Sequence, residues 1–190
     1  MPECLPPDGK MKTGFKTLIK SALGLPLSSI HWYAQEAMFF AERQALMRRM
    51  GHCEPDLALT PPWDIRGEEN IFIGQDVYIG PHVLMLADKG AEIRIGNNVM
   101  FAPQVKLIAN DHRFDDPTRP IKHSGYGERV GIQVGNDVWI GTGAIILKGT
   151  CIGDGSVIGA GAVVTHNIGN CEIWAGNPAR KIKERLTVPC

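Results

Sequence analysis

The sequence lacks the features that would indicate a membrane protein or a polyanion-binding protein. Its 190 residues carry no excess charge, since Lys and Arg number 20 and Asp and Glu also number 20. No strong electrostatic field therefore favours nucleic acid or an anionic membrane. No apolar run approaches the roughly twenty residues of a membrane-spanning helix, and the apolar patch at residues 23–27 is too short for the core of a signal peptide. Membrane association is expected to be peripheral at most, through residues 10–20.

Paired cysteines are missing as well. The five cysteines are odd in number, scattered along the chain and without any Cys-x-x-Cys spacing. This distribution argues against a disulfide framework and against a zinc site. Free cysteines are typical of a reducing compartment, so we expect a cytoplasmic protein without a bound metal.

What the sequence does contain is a strict period of six. An aliphatic residue returns at every sixth position, and four of the six are followed by glycine. The positions are Val134, Ile140, Ile146, Ile152, Ile158 and Val164. Shorter runs in the same step are Ile73, Ile79 and Met85, and Ile95, Phe101 and Leu107. Neither a helix nor an ordinary strand has this period, which is typical of a β-helix built from hexapeptide rungs. We therefore predict a mainly β, parallel coil whose aliphatic residues fill its interior.

Two interruptions of the period indicate where function lies. The interval from Met85 to Ile95 is ten, around Lys89 and Gly90. The interval from Leu107 to Val134 is twenty-seven. Insertions in a solenoid become loops on one face, often the binding face. Residues 109–131 are therefore predicted to be an extruded loop that carries the site.

The ends of the chain have a different composition. A helical apolar spacing precedes the coil, with Ser28 or Ser29 as the expected N-cap and Gly51 as the stop. Its members are Ile30, Tyr33, Ala34, Ala37, Met38, Ala41, Ala45 and Leu46. We predict that residues 1–60 form a helical segment that closes the end of the coil. Residues 61–174 are predicted to form the coil, and residues 175–190 a turn and a short helix.

Three segments carry a resemblance to a known family. They are the histidine loop, the rung Val138–Gly141 and the exit Ala175–Ala179. Together with the repeat, they resemble the hexapeptide-repeat acetyltransferases over residues 65–186. The sequence is similar to galactoside and maltose O-acetyltransferases and to enzymes that decorate polysaccharides. The resemblance implies a left-handed parallel β-helix, a homotrimer with active sites between subunits, and acetyl-CoA as acyl donor.

His112 holds the position of the family's catalytic histidine, at the point where the coil breaks into the loop. Acetyl transfer from a thioester to a hydroxyl needs a base, which typically contributes roughly 10²- to 10⁴-fold. Imidazole suits this role at neutral pH. A histidine that merely caps the loop is the structural alternative. His123 is the rival base, ten residues into the insertion, and is expected to contact acceptor or solvent.

The expected acceptor-binding residues are His82, Asp111 and Tyr126, of which the resemblance places His82 where the family's acceptor pocket is formed. His82 is otherwise an exposed turn histidine, and Tyr126 is a candidate for stacking on a sugar. Asp111, Asp115 and Asp116 either orient His112, hold sugar hydroxyls or serve as ordinary turn residues.

The resemblance also places the donor site on small-residue turns between coils and on the basic exit. The implied CoA-binding residues are Trp139, Gly141, Thr142, Gly159, Ala160, Thr165, Asn177, Arg180 and Lys181. Cationic side chains suit the nucleotide phosphates, and a backbone N–H near Thr142 would polarise the thioester carbonyl. His166 stands where many relatives have lysine, which puts one phosphate contact in doubt.

Three alternatives remain beside a sugar O-acetyltransferase. An amino-sugar nitrogen is the nearest rival acceptor, because the same base and donor groove serve it. A β-helical metalloenzyme would need three converging histidines, and His82, His112, His123 and His166 lack the paired spacing for that. A catalytically silent scaffold would need neither the polar loop nor the basic exit.

Overall fold

The computed structural model describes residues 27–185, which form one α-helix, two short 3-10 helices and seventeen short strands. The strands belong to three sheets; the first fifteen strands along the chain visit the three sheets in turn, and the last two both belong to the second sheet. The first sheet contains β1 (His52–Cys53), β4 (Ile71–Ile73), β7 (Ile93–Ile95), β10 (Ile132–Val134) and β13 (Cys151–Ile152). The second contains β2 (Ala58–Leu59), β5 (Tyr78–Ile79), β8 (Met100–Phe101), β11 (Trp139–Ile140), β14 (Val157–Ile158), β16 (Glu172–Ala175) and β17 (Arg180–Glu184). The third contains β3 (Trp63–Arg66), β6 (Val83–Leu86), β9 (Lys106–Ile108), β12 (Ile145–Leu147) and β15 (Val163–Val164).

The pairing confirms the predicted parallel coil. Every pair of neighbouring strands is parallel except β16 with β17. Ile95 lies opposite both Ile73 and Val134, although the two intervals differ by seventeen residues. The insertions are therefore extruded without shifting the register of the coil. All twelve residues of the six-residue period are buried, at 0 to 5% exposure.

The coil begins earlier than residue 61, where the sequence placed its boundary. Cys53, Leu59 and Ile65 lie opposite Ile73, Ile79 and Met85, so a further turn precedes the recognised repeat. Cysteine in place of an aliphatic residue hid this turn from the sequence pattern. Burial, with smaller effects of Asp56 and Glu54, raises the pKa of the Cys53 thiol to about 11. The thiol therefore stays protonated and packs as a small apolar group.

A second set of inward-facing positions is formed by the small residues between the aliphatic positions. Val138, Ala144, Thr150 and Ser156 are each at most 1% exposed. The two hydroxyls are satisfied inside the coil, because Thr150 Oγ1 donates to the Leu147 carbonyl at 2.8 Å and Ser156 Oγ donates to a backbone carbonyl at the same distance. Small side chains suit these positions because the interior of the coil is narrow.

Helix α1 spans Leu27–Arg49 and ends just before Gly51, as predicted. The expected N-cap is wrong, because Ser28 and Ser29 both lie inside the helix. The chain divides into two compact units, Met1–Ala45 and Leu46–Cys190. Within the second unit, Leu46 and Met50 are buried in the core of the coil. Closure of the coil by the remainder of α1 stays a prediction. Residues 10–20 lie outside the described residues, and no helix in the described part of the chain is long and apolar enough to cross a membrane.

The predicted C-terminal helix is wrong. Its described part is strand β17, which reverses direction after Asn177–Pro178 and pairs antiparallel with β16. Lys181 lies opposite Trp174 in this pairing, and its ammonium group reaches the carboxylate of Glu172 on the neighbouring strand. Pairing with the edge strand of the second sheet satisfies backbone groups that a helix would have left exposed.

Candidate active site

The two insertions lie side by side at one edge of the coil. Each follows a strand of the third sheet, β6 for the short insertion and β9 for the long one. The short insertion is a tight turn closed by a bridge between Asp88 and Ala91. Arg129, on the returning leg of the long loop, donates to the Lys89 carbonyl at 2.7 Å and lies 3.6 Å from Asp88 Oδ2. The short insertion therefore supports the base of the long loop.

The base of the long loop is a short antiparallel ladder. The amide of Gly127 donates to the Asp111 carbonyl at 3.0 Å, and the amide of Arg113 donates to the Gly125 carbonyl at 3.0 Å. Between these bonds His112 lies opposite Tyr126. The loop is thus an ordered hairpin at its root, which holds the histidine at the predicted break in the coil.

The side chains of His112 and Tyr126 stack on each other. Their ring centroids are 5.4 Å apart, and the ring planes differ by 16°. His112 is exposed, and Tyr126 is 57% exposed. One face of the tyrosine is therefore used to orient the imidazole, while both rings stay open to a ligand.

Around this stack is an open cavity of about 400 Å³. It is lined by Asp111, His112, Arg113, Phe114, Asp115, Tyr126, Gly127, Glu128 and Lys148. The set combines an imidazole, two exposed aromatic rings and charged groups of both signs, which is a chemistry suited to hydroxyl-rich ligands. Among the described residues, no group of three or more His, Cys, Asp or Glu side chains is arranged to hold a metal ion.

The three aspartates near His112 have other partners in the described part of the chain. Asp111 Oδ1 accepts from Lys148 Nζ at 2.8 Å. Asp115 accepts from Arg113 Nε at 2.6 Å, and this bond lowers the pKa of Asp115. Asp116 caps its own turn: the hydroxyl and then the amide of Thr118 donate to it and lower its pKa. The turn interpretation therefore describes Asp116, whereas Asp111 and Asp115 contribute charge pairs to the cavity wall.

Sequence reasoning missed Lys148. It follows β12 and reaches the loop across a separation of 37 residues, bonding the Glu128 carbonyl at 3.1 Å as well as Asp111. Nothing in the six-residue period marks this position, because the lysine projects outward from a corner of the coil. Arg113, Phe114, Gly127 and Glu128 were missed for a related reason, since an irregular loop has no periodicity to rank its residues.

The structure does not bring the two other candidate histidines into this cavity of the described chain. His82 lies at the corner between β5 and β6, with a backbone φ of 59°. His123 ends the 3-10 helix Ile121–His123 at the far part of the loop. Of the proposed acceptor residues, Asp111 and Tyr126 join His112, whereas His82 lies elsewhere on the same subunit.

Four of the proposed donor residues, Gly141, Thr142, Gly159 and Ala160, form a column at the corner between the second and third sheets of successive coils. A Cβ on Gly141 would lie 2.7 Å from the Ala160 nitrogen, so this glycine is required by the close approach of the next coil. The Thr142 carbonyl accepts from the amide of Gly161 at 2.8 Å. A Cβ on Gly159 would lie 2.9 Å from the Ala175 Cβ. Glycine at these corners therefore has a packing reason that is independent of any ligand.

The side chains beside this column are largely open. Trp139 is 49% exposed and lies between Met100 and Val157 on the outer face of the second sheet. Thr142 and Ala160 are exposed. Thr165 Oγ1 lies 2.8 Å from His166 Nδ1, so these two side chains form a local pair.

Two basic residues, Arg180 and Lys181, follow the exit segment, and carboxylates already partly neutralise the charge of Lys181. Lys181 Nζ lies 2.6 Å from Glu172 Oε1 and 2.5 Å from Glu184 Oε1, and both contacts raise the pKa of Lys181. The pKa of Glu172 is lowered, first by Lys181 and then by the indole N–H of Trp174 at 2.8 Å. Arg180 donates to the Ala179 carbonyl and forms no ion pair within residues 27–185.

A parallel coil of six-residue rungs with one extruded histidine loop defines the class of hexapeptide-repeat proteins. Residues 131–166 match the family described as bacterial transferase hexapeptide (six repeats). The chain is 34% identical over 148 residues to the galactoside O-acetyltransferase of Escherichia coli K12, covering 75% of this chain and 69% of that protein. It is 35% identical over 135 residues to nodulation protein L of Rhizobium meliloti, covering 71% of each chain.

Solved structures show the same likeness. A hexapeptide-repeat acetyltransferase from Vibrio cholerae superimposes with a TM-score of 0.69 at 30% identity, covering 77% of this chain and 81% of that one. A galactoside acetyltransferase in complex with coenzyme A superimposes with a TM-score of 0.67 at 28% identity, covering 89% and 78%. The chain belongs to the hexapeptide-repeat acetyltransferases, and it is an acyltransferase.

Proposed function

We propose that the protein transfers an acetyl group from acetyl-CoA to a hydroxyl of a sugar or glycan precursor, with His112 as general base. The observation that carries this proposal is the exposed imidazole of His112 in an open polar cavity, oriented by its stack on Tyr126. A loop histidine that served only as a cap would bond the loop backbone, and no hydrogen bond of the His112 side chain occurs within residues 27–185.

The reaction is a direct transfer. The acceptor oxygen attacks the thioester carbonyl while His112 removes its proton, and a tetrahedral oxyanion forms. A backbone N–H near Thr142 stabilises that oxyanion. The carbon–sulfur bond then breaks, the acetyl group stays on the acceptor, and the imidazolium returns the proton to the departing thiolate.

The donor groove runs along the corner column, with the arm of acetyl-CoA beside Gly141, Thr142, Gly159 and Ala160, and Thr165 after β15 as a further proposed contact. Trp139 lines the groove, and the nucleotide end lies near Asn177 and Arg180, with Lys181 as a further phosphate ligand. The coenzyme A complex of the related galactoside acetyltransferase supports a CoA donor here. Because Lys181 is paired with two carboxylates, Arg180 is the more available cation for a phosphate.

The complete site forms between subunits of a homotrimer whose coils are left-handed. The donor column is absent from the residues that line the His112 cavity in the described chain, and this separation supports a second subunit supplying the donor groove. In the same arrangement His82 of a neighbouring copy joins Asp111 and Tyr126 around the acceptor.

The acceptor class rests on the names of the relatives and on the cavity. Galactoside and maltose O-acetyltransferases are among the similar proteins, and the charged and aromatic lining suits a hydroxyl-rich ring. Modification of polysaccharide precursors in the cytoplasm is the setting that we propose.

His112→Ala tests the assignment, with His123→Ala as the matched control. We expect His112→Ala to lower kcat at least a hundredfold while coenzyme A binding is kept, because only the proton transfer is lost. His123→Ala, outside the cavity, should leave kcat within a few-fold of the parent. The readout is thiol release from acetyl-CoA with a panel of free sugars, nucleotide sugars and glycan fragments. Undiminished turnover by His112→Ala would refute the general-base role.

A further inference from the structure

We propose that Lys148 is a positioning residue for His112, an inference that rests on the proposed function. It acts by fastening both legs of the long loop to strand β12. Lys148 itself belongs to the regular coil, directly after β12. The loop's two legs are joined to this rigid element through a single ammonium group.

The contacts of Lys148 reach one residue on each leg. Its Nζ lies 2.8 Å from Asp111 Oδ1 on the outgoing leg and 3.1 Å from the Glu128 carbonyl on the returning leg. The lysine side chain is 27% exposed, so the pair with Asp111 is partly shielded from water. Charge-assisted bonds of this kind are stronger than neutral ones.

Glycine at position 127 makes room for this arrangement. A Cβ there would lie 2.5 Å from Asp111 Oδ1 and 3.3 Å from Lys148 Nζ. The amide of Gly127 also donates to the Asp111 carbonyl. The absence of a side chain therefore allows the backbone to close over the ion pair.

The residues that Lys148 binds are close in sequence to the two stacked rings of His112 and Tyr126. Asp111 immediately precedes His112, and Glu128 lies two residues after Tyr126, so each residue bound by Lys148 is within two positions of a stacked ring. If the contacts of Lys148 are lost, the rings of His112 and Tyr126 can shift, either together or relative to each other. A misplacement of about 1 Å at a reacting group is enough to cost about 10²-fold in rate.

The experiment compares Lys148→Met, Lys148→Arg and the control Lys89→Met, which removes an exposed lysine from the short insertion. We expect Lys148→Met to lower kcat about 10- to 100-fold, with the KM for acetyl-CoA within about twofold. Lys148→Arg should recover most of the rate, because a guanidinium can reach both oxygens. Lys89→Met should match the parent.

A double-mutant cycle shows whether Lys148 acts through Asp111. Asp111→Asn and Lys148→Met combined should cost no more than the worse single substitution, because both remove the same ion pair. Additive losses would overturn the inference. So would an unchanged kcat in Lys148→Met, or a rise confined to the acceptor KM, which would make Lys148 an acceptor ligand.

Hydrogen exchange gives a readout that needs no turnover. The amides of Arg113 and Gly127 are bonded across the root of the loop, and they should lose protection in Lys148→Met but keep it in Lys89→Met. Unchanged protection overturns the inference. A parent protein that acetylates nothing, but whose loop protection depends on Lys148, refutes the proposed function and supports the anchoring role of the lysine.

Discussion

Replacement of Ile132 by alanine tests whether the coil resumes in register after the long loop. Ile132 begins β10, is 0% exposed and lies opposite Ile93 on the preceding coil. Its neighbour Gln133 points outward from the same strand. A slip of one residue would exchange these two positions, because side chains of a strand alternate between its faces.

The expected cost follows from the burial of the side chain. Truncating a buried isoleucine to alanine removes its transfer free energy and leaves a cavity, which together cost about 2–5 kcal/mol. With a urea dependence of about 2 kcal/mol per molar, the unfolding midpoint should fall by about 1–2.5 M. Gln133→Ala, which removes an exposed side chain, should change the free energy of unfolding by no more than about 0.5 kcal/mol.

Urea unfolding followed by far-ultraviolet circular dichroism measures both variants. Protein concentration is held constant, because the stability of the proposed trimer would depend on it. Equal costs for Ile132→Ala and Gln133→Ala, or a larger cost for Gln133→Ala, would show that the strand after the loop is out of register. The reasoning about the extruded insertion would then be refuted.

Two further predictions concern the C-terminal coils. Ser156→Ala should cost about 1–3 kcal/mol in thermal unfolding, because Ser156 is fully buried and bonds the Gly169 carbonyl at 2.8 Å; a loss no larger than that of Ser124→Ala on the long loop would contradict this. The pKa of Glu172 is lowered from 4.5, so its stabilising effect is complete above that value and is lost as pH falls through the lower folded-state pKa. Glu172→Gln should therefore flatten the decline of melting temperature below pH 4.5, and a parallel decline would disprove it.

The interior of the coil was predictable from the sequence because every rung has the same local packing requirement. The inward residue must be aliphatic, and this need recurs every six residues wherever the coil is regular. The first coil escaped prediction because Cys53 replaces an aliphatic residue there. The C-terminal segment was assigned to a helix because a short basic run carries no period, whereas its pairing with β16 depends on a strand edge that exists only after folding.

The residues of the candidate site were likewise predictable only in part. The break in the period located the loop, the family resemblance singled out His112 within it, and the structure places Asp111 and Tyr126 beside that histidine. It does not place His82 or His123 there. Lys148 could not be found from the sequence, because its two contacts span 37 and 20 residues and arise only when the coil brings a corner against the loop.

By itself the sequence determined the architecture of the coil and the place where it opens, since both follow from a local period and its interruption, while its resemblance to the family singled out the histidine at that opening. Only the tertiary structure decided which charged groups surround that histidine. Their pairing depends on how an irregular loop folds back on the coil, and no local rule of spacing encodes the distance between Lys148 and Asp111.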